Sequence, residues 1–526
     1  MAGRPSIAGG HRGSGPPLPA RLAGALAIVG AFGVGAVAPR RALGRVTAAT
    51  AMALLVAAWI ARATRRAPLR PLELDDLPRG ASLPTVTVIV PARDEVAVLP
   101  SLIADLAVQD HRGLGGEPRY EVVVVDDRST DGTGPAARQA AAKHGLAAVT
   151  RVLRREPPGS GQRIDDMREI RLDDGKGAAL SFVRPEDCSG EVVIVLDADA
   201  RIGTEFVRRA ASYVARGQPV VTARRQTMVD GLDGFARHLA LAQADEQILD
   251  GRLQVWRWAA GSCSEFRGNG MIVRRDLLAE MGGWPAAALT EDLDLSSRIS
   301  AGRGIGVGWA GDVVVFEEPV VSLQALWRQR TRWAEGSIRR YLERTPAVLR
   351  SPVLPATAKI DYLGYGGLLL IPFGVVGWAV GCFGSSARGH GRPTRMGLMV
   401  ATAAGSAAAV VIGSRTVALD ERPSLGGPLR AARLVAFGAL WLVVLPVAWW
   451  RALVGTGEVR FARTVHRGVA VPSSPEAAVL TSARQRAAGR GCRRSGAIGA
   501  PSPTPVHPRR VERQHSEVAN MGRTSP

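Results

Sequence analysis

Two short valine-rich runs, each ending on a pair of carboxylates, constrain this chain more than any other feature. Residues 120–125 run into Asp126-Asp127, and residues 191–196 run into Asp197-Ala198-Asp199. The surrounding pattern alternates. Residues 85–90 read as a β-branched strand. Residues 94–109 read as a helix with Leu99, Leu102, Ile103 and Leu106 on one face. Helices are expected again over 132–144, 175–184 and 204–215, a third strand over 148–153, and a polar loop over 156–174. Strands alternating with helices predict an α/β domain whose mainly parallel sheet is covered on both faces. In such sheets ligands bind beyond the carboxyl ends of the strands. Both acidic clusters fall at such ends.

The rest of the chain is not built this way. Of its 526 residues 46% are hydrophobic, concentrated towards the two ends. Residues 22–38 and 46–61 are apolar, each slightly short of the roughly 20 residues of a membrane span. They read as a helical hairpin anchor over 21–66. Ala36-Val37-Ala38 also fits a cleavage site, so a removed signal peptide is the alternative for the first. Arg62, Arg65, Arg66 and Arg70 put the following side in the cytoplasm. Three further apolar segments, 363–383, 396–413 and 434–453, make a second transmembrane region over 359–455. Residues 1–20 and 471–526 are rich in Gly, Pro, Ser and Arg and read as disordered. Two spans before the central domain and three after it put the tail opposite the catalytic side, although the tail is rich in Arg. Either one segment does not span or the tail breaks the charge rule.

The net charge is +20. Much of it lies in tails and in loops beside apolar segments, which favours a membrane surface, and no nucleic-acid motif accompanies it. Cys188, Cys263, Cys382 and Cys492 are widely spaced and form no disulfide framework or CxxC pair.

Further along, Thr290-Glu291-Asp292 is followed by Gln329-Arg330-Thr331-Arg332-Trp333. With Asp126-Asp127 and the DxD triplet at Asp197–Asp199, this series resembles the membrane-integrated family 2 glycosyltransferases, the group that contains cellulose synthase. The resemblance covers about residues 84–340. It implies a GT-A, Rossmann-like catalytic domain over 84–345, ending in an amphipathic interface helix at 323–340 that lies on the membrane. It also implies site residues. Asp292 is the catalytic base, and Glu291 and Trp333 meet the acceptor. Asp199 holds the metal, Mg2+ or Mn2+. Arg93, Glu95, Asp126, Asp127, Lys176, Asp197, Gln329 and Arg332 bind the donor. Asp94 stands where the family usually has Asn. Ser129 and Asp131 read as caps of the next helix. The dipole at a helix N-terminus is expected to keep Asp292 ionised.

Residues 265–270 and 329–336 resemble bacterial and cyanobacterial enzymes that glucosylate diacylglycerol. The reading is therefore an inverting hexosyltransferase of the cell inner membrane with a cytoplasmic catalytic domain. It uses a UDP-sugar donor and a membrane lipid acceptor in the bilayer, with an accessory membrane subunit as a further partner. A growing glycan is the alternative acceptor, in a processive polysaccharide synthase. A non-catalytic membrane scaffold is the alternative of another class, against which the intact motifs argue. A transporter is disfavoured because the apolar segments show no buried acid or His.

Overall fold

The computed structural model describes residues 16–37, 83–156, 175–386, 433–434 and 436–455. The expected apolar segments 46–61 and 396–413, most of the 156–174 loop and most of both tails lie outside the described residues.

The sheet forms where valine runs are buried on both faces. β1 (Val86–Ala92), β2 (Tyr120–Asp127), β3 (Thr150–Arg155) and β4 (Val192–Val195) pair in parallel in the order β3-β2-β1-β4. Val88, Ile89, Val90, Val122, Val123, Val124, Val193, Ile194 and Val195 are all fully buried. β5 (Arg201–Ile202), β6 (Val220–Thr227), β7 (Met271–Arg274) and β8 (Gly308–Glu317) extend the sheet to eight strands, continuing β4-β7-β6-β8-β5. β7 runs antiparallel to both its neighbours, and β6 pairs parallel with β8. The parallel half is thus the half that the alternation foretold, and the added half is mixed.

Helices cover the two faces. α2 (Leu99–Ala107) buries Leu99, Leu102, Ile103 and Leu106, as its periodicity requires. α3 (Thr133–Lys143), α4 (Lys176–Ser181), α5 (Phe206–Ala215), α6 (Gly234–Ala259), α7 (Arg275–Glu280) and α8 (Glu291–Arg303) complete the domain. One apolar core lies under α2, α3 and α5. The other contains Leu180, Phe266, Leu277, Leu278, Leu295 and Ile299.

α9 (Leu323–Arg350) is longer than the expected interface helix and is placed differently. Its polar side is buried in the catalytic domain, where Arg330, Glu335 and Arg340 are all nearly inaccessible. Its apolar side, with Ala334, Ile338 and Leu342, is covered by a later helix instead of facing outward. α1 (Leu18–Val37) begins inside the stretch expected to be disordered. α10 (Ala356–Gly367), α11 (Ile371–Ser386) and α12 (Trp441–Val454) follow α9. Among the described residues two stretches, Ala356–Gly377 and Ala436–Val454, are long and apolar enough to cross a membrane. The first starts seven residues earlier than the apolar run, so it carries Lys359 and Asp361. Asp361 therefore lies in this stretch, just ahead of the apolar run itself.

Candidate active site

Four loop regions meet beyond the carboxyl ends of β1, β2 and β4. The first two are stitched together. Asp94 has φ 52°, a left-handed conformation that Asp and Asn adopt more readily than other residues. Replacing the family's Asn by Asp94 therefore keeps the backbone turn. The Asp94 amide donates to Ser129 Oγ at 2.9 Å, the Glu95 amide to Thr133 Oγ1 at 2.8 Å, and the Val96 amide to Asp131 Oδ2 at 3.2 Å. In return the Thr130 amide donates to Asp94 Oδ1 at 2.7 Å. Ser129 is thus a clamp between loops and not a cap. Asp131 does accept from the Thr133 amide at 3.0 Å, but the cap position of α3 is Gly132. Arg93 is exposed on the rim of this loop, and Glu95 is half-buried.

Asp126 and Asp127 are almost wholly buried at the end of β2. Asp126 accepts from the Ser129 amide at 3.1 Å and pairs with Arg154 at 3.1 Å. Asp127 pairs with Arg128 at 3.0 Å and Arg155 at 2.9 Å. Both carboxylates therefore tie β2 to β3, a role their motif did not announce.

Lys176 is the node of the site. Its ammonium lies 2.5 Å from Asp197 and 3.6 Å from Glu291, and donates to the Gly268 carbonyl at 2.7 Å. It joins the DxD turn, the TED triplet and the 265–270 loop. Burial disfavours its charge, but Asp197 and Glu291 outweigh that and raise its pKa. Asp197-Ala198-Asp199 forms a tight turn, closed by the Ala200 amide on the Asp197 carbonyl at 3.0 Å and fixed by Asn269 Oδ1 on the Asp197 amide at 3.1 Å. Burial beside Asp197, Glu317 and Glu318 holds the Asp199 carboxyl well above the usual carboxylate range. Burial likewise raises Glu317, against the pull of Arg225.

Glu291 and Asp292 open α8. Burial pushes Glu291 up to about 7, with Lys176 pulling it back and Asp292 adding to the rise. Asp292 is also raised by burial, more than the Leu293 amide, Lys176, Arg267 and Arg225 lower it. The helix terminus favours the charged form, and desolvation acts against it.

α9 brings the last motif against α8. A Cβ on Gly336 would lie 2.4 Å from Thr290 Cγ2, so only glycine allows this approach. Gln329 presents a buried Oε1 that lacks a hydrogen-bond partner among the described residues. Arg332 is half-buried and makes no ion pair among the described residues. The half-buried Trp333 ring has the Arg330 guanidinium 4.3 Å and that of Arg225 5.8 Å from its centroid. Arg225 also donates to the Arg267 carbonyl at 2.5 Å and pairs with Glu317 at 3.4 Å. Arg225 and Glu317 were missed in the sequence. The signal was there for Arg225, because two adjacent arginines follow the apolar start of the strand.

Residues 84–336 match the family described as glycosyltransferase like family 2. They form a family 2 glycosyltransferase domain. The chain is 31% identical over 274 residues to a β-monoglucosyldiacylglycerol synthase of Nostoc sp., covering 51% of this chain and 52% of that one. It is 33% identical over 261 residues to the enzyme of that name from Synechocystis sp., covering 49% of each. It thus spans about half the length of the curated relatives it matches. Its fold is also similar, with a TM-score of 0.46 and 22% identity over 80% of this chain and 97% of the other, to a mannosyltransferase from Pyrobaculum calidifontis in complex with GDP-mannose and Mn2+.

Proposed function

We propose that this chain is a membrane-bound inverting hexosyltransferase that moves a sugar, glucose by its relatives, from a UDP-sugar to a lipid such as diacylglycerol. The observation that carries this reading is the Lys176 node, which holds Asp197 of the donor turn and Glu291 of the acceptor triplet on one ammonium. Donor and acceptor chemistry are thereby set side by side.

The stitched loops, with Arg93, Glu95, Asp126 and Asp127, frame the nucleoside. Asp197 and Lys176 approach the donor sugar. Asp199 and Asp197 suit a divalent cation, Mg2+ or Mn2+, because the two carboxylates stand on one tight turn with further acids, Glu317 and Glu318, close by. Among the described residues no three acidic, His or Cys side chains form a ready ligand set. An ion at this turn would be held by one or two carboxylates, and a bound donor would complete its shell. Such an ion supplies charge neutralisation for the leaving diphosphate.

Asp292 takes the proton of the acceptor hydroxyl. Its raised pKa makes it a better proton acceptor than an ordinary carboxylate. The acceptor oxygen bonds to the anomeric carbon as the bond to the β-phosphate oxygen breaks, inverting an α-donor to a β-product. Arg332 and Gln329 receive the departing UDP. Trp333 and Glu291 orient the acceptor.

The test uses the full chain in lipid, labelled UDP-sugars, Mg2+ or Mn2+, and diacylglycerol present or absent. Label in the organic-soluble fraction that depends on Asp292 is expected. Label in a high-molecular-weight fraction would instead identify a polysaccharide synthase. No turnover and no nucleotide binding would indicate the scaffold.

A further inference from the structure

The stretch Ala436–Val454 is long and apolar enough to cross a membrane, yet its neighbours place it elsewhere. It lies along α9 for most of that helix's length. At one end Phe437 and Leu440 pack with Leu326. In the middle Val444, Leu445 and Ala448 pack with Ala334 and Ile338. At the other end Trp449 and Leu453 surround the same point as Leu342, and Gly455 lies beside Arg339. The residue numbers rise together, so the two helices run parallel at a small angle.

α9 is a poor companion for a span. It carries Arg328, Arg330, Arg332, Glu335, Arg339, Arg340, Glu343 and Arg344. Its far side is bonded to the catalytic domain along its length, through Arg330–Glu246 at 2.7 Å, Arg340–Glu265 at 3.0 Å and Arg344–Asp294 at 2.6 Å. A helix lying along α9 cannot cross a hydrocarbon layer of about 30 Å unless those charges and that domain enter it too. The start of the stretch is also tied to the domain. Arg433 pairs with Asp245, and the Trp441 indole N–H donates to Glu246 at 3.0 Å.

We infer that Ala436–Val454 lies in the plane of the membrane surface, with α9 beneath it and one leaflet above it, so that both its ends stay on the catalytic side. Its outward stripe fits that occupant. Leu442, Val443, Trp450 and Val454 are exposed, and Arg451 is exposed beside Trp450. An aromatic and a basic residue flanking an apolar stripe suit the headgroup boundary. The stripe adds to the exposed apolar residues Leu22, Leu26 and Val29 of α1, and Ile371, Val375 and Val376 of α11. The inference also removes one span from the odd total that set the basic tail against the charge rule.

The inference rests on the membrane reading, and the experiment separates the two. In full-length protein with Cys382→Ala and Cys492→Ser, single reporters are placed at Leu114→Cys, in a fully exposed loop of the domain, and at Arg451→Cys. A third variant restores Cys492. Cys188 and Cys263 are buried and stay. Sealed membrane vesicles of each orientation are treated with an impermeant maleimide. The expected result is that all reporters label in one orientation and lose labelling in the other. Should Arg451→Cys be shielded by lipid in both, Cys492 alone decides. Labelling of Arg451→Cys or Cys492 only in the orientation opposite to Leu114→Cys overturns the in-plane placement and leaves the membrane reading intact. Protein that leaves the membrane on alkaline washing overturns both.

Discussion

Two clusters of buried charge share the 265–270 loop, and they are built in opposite ways. In the first, Asp197, Asp199, Glu291, Asp292 and Glu317 face Lys176 and Arg225. In the second, Arg257, Arg267 and Arg340 close around Glu265, with Asp250 and Asp361 as further partners. The first has five acids for two cations, and burial raises the pKa of Asp199, Glu291, Asp292 and Glu317. The second is balanced, and its three guanidiniums hold Glu265 below the usual range despite burial. A set of charges that satisfies itself is architecture. One that cannot do so without a further cation is a site.

The contrast can be broken by substitution. The largest effect is expected from Asp292→Asn, which removes the base and should lower sugar transfer by about 10²–10⁴-fold while leaving UDP binding in place. A variant that kept most of its turnover would move the base elsewhere. Next comes Glu265→Gln in the balanced cluster. Leaving buried guanidiniums without their partner should cost about 3–5 kcal/mol in denaturant unfolding, because broken buried pairs are that expensive. The crowded cluster should respond with the other sign. Asp199→Asn should stabilise the metal-free protein, since it removes a carboxylate whose charge burial and its acidic neighbours disfavour. In the same variant, Mn2+ should no longer strengthen UDP binding, as calorimetry would show. An equal loss of stability in the Glu265 and Asp199 variants would erase the distinction.

The smallest effect is in pH dependence. Glu291 has a folded pKa of about 7 against an ordinary value of 4.5, so the folded state binds the extra proton between them. Stability from this group is full below the lower value and is lost as pH rises towards 7. Glu291→Gln should therefore lose less stability than the parent between those pH values, and thermal melts across that window would reveal the difference.

How much of this could be read from the sequence follows from what each residue depends on. β1, β2 and β4 were legible because valine runs buried on both faces leave a continuous apolar signature. β6 and β8 were not, since Arg224, Arg225 and Gln226 interrupt one strand and a register shift after Ala223 offsets their pairing. Lys176, Asp197, Glu291 and Asp292 were all named in advance, and they do converge. Their protonation was not foreseeable, because a dipole can be read from a helix start whereas burial depends on distant segments. Asp126 and Asp127 show the converse: a recognisable motif whose carboxylates are already engaged by Arg154 and Arg155. The buried side of α9 was hidden for the same reason. A helix rich in arginine looks like a surface helix until its partners Glu246, Glu265 and Asp294 are known.

Gly336 has a further consequence. Its bare α-carbon sets the thickness of the joint between the helix bearing Trp333 and the threonine that precedes Glu291 and Asp292. The joint works as a spacer gauge. A methyl there would act as a shim, widening the gap between platform and base without removing any reacting group. Bulkier acceptors would then be tolerated better than small ones, so one position that carries no reacting group offers a dial for the size of molecule that is glycosylated.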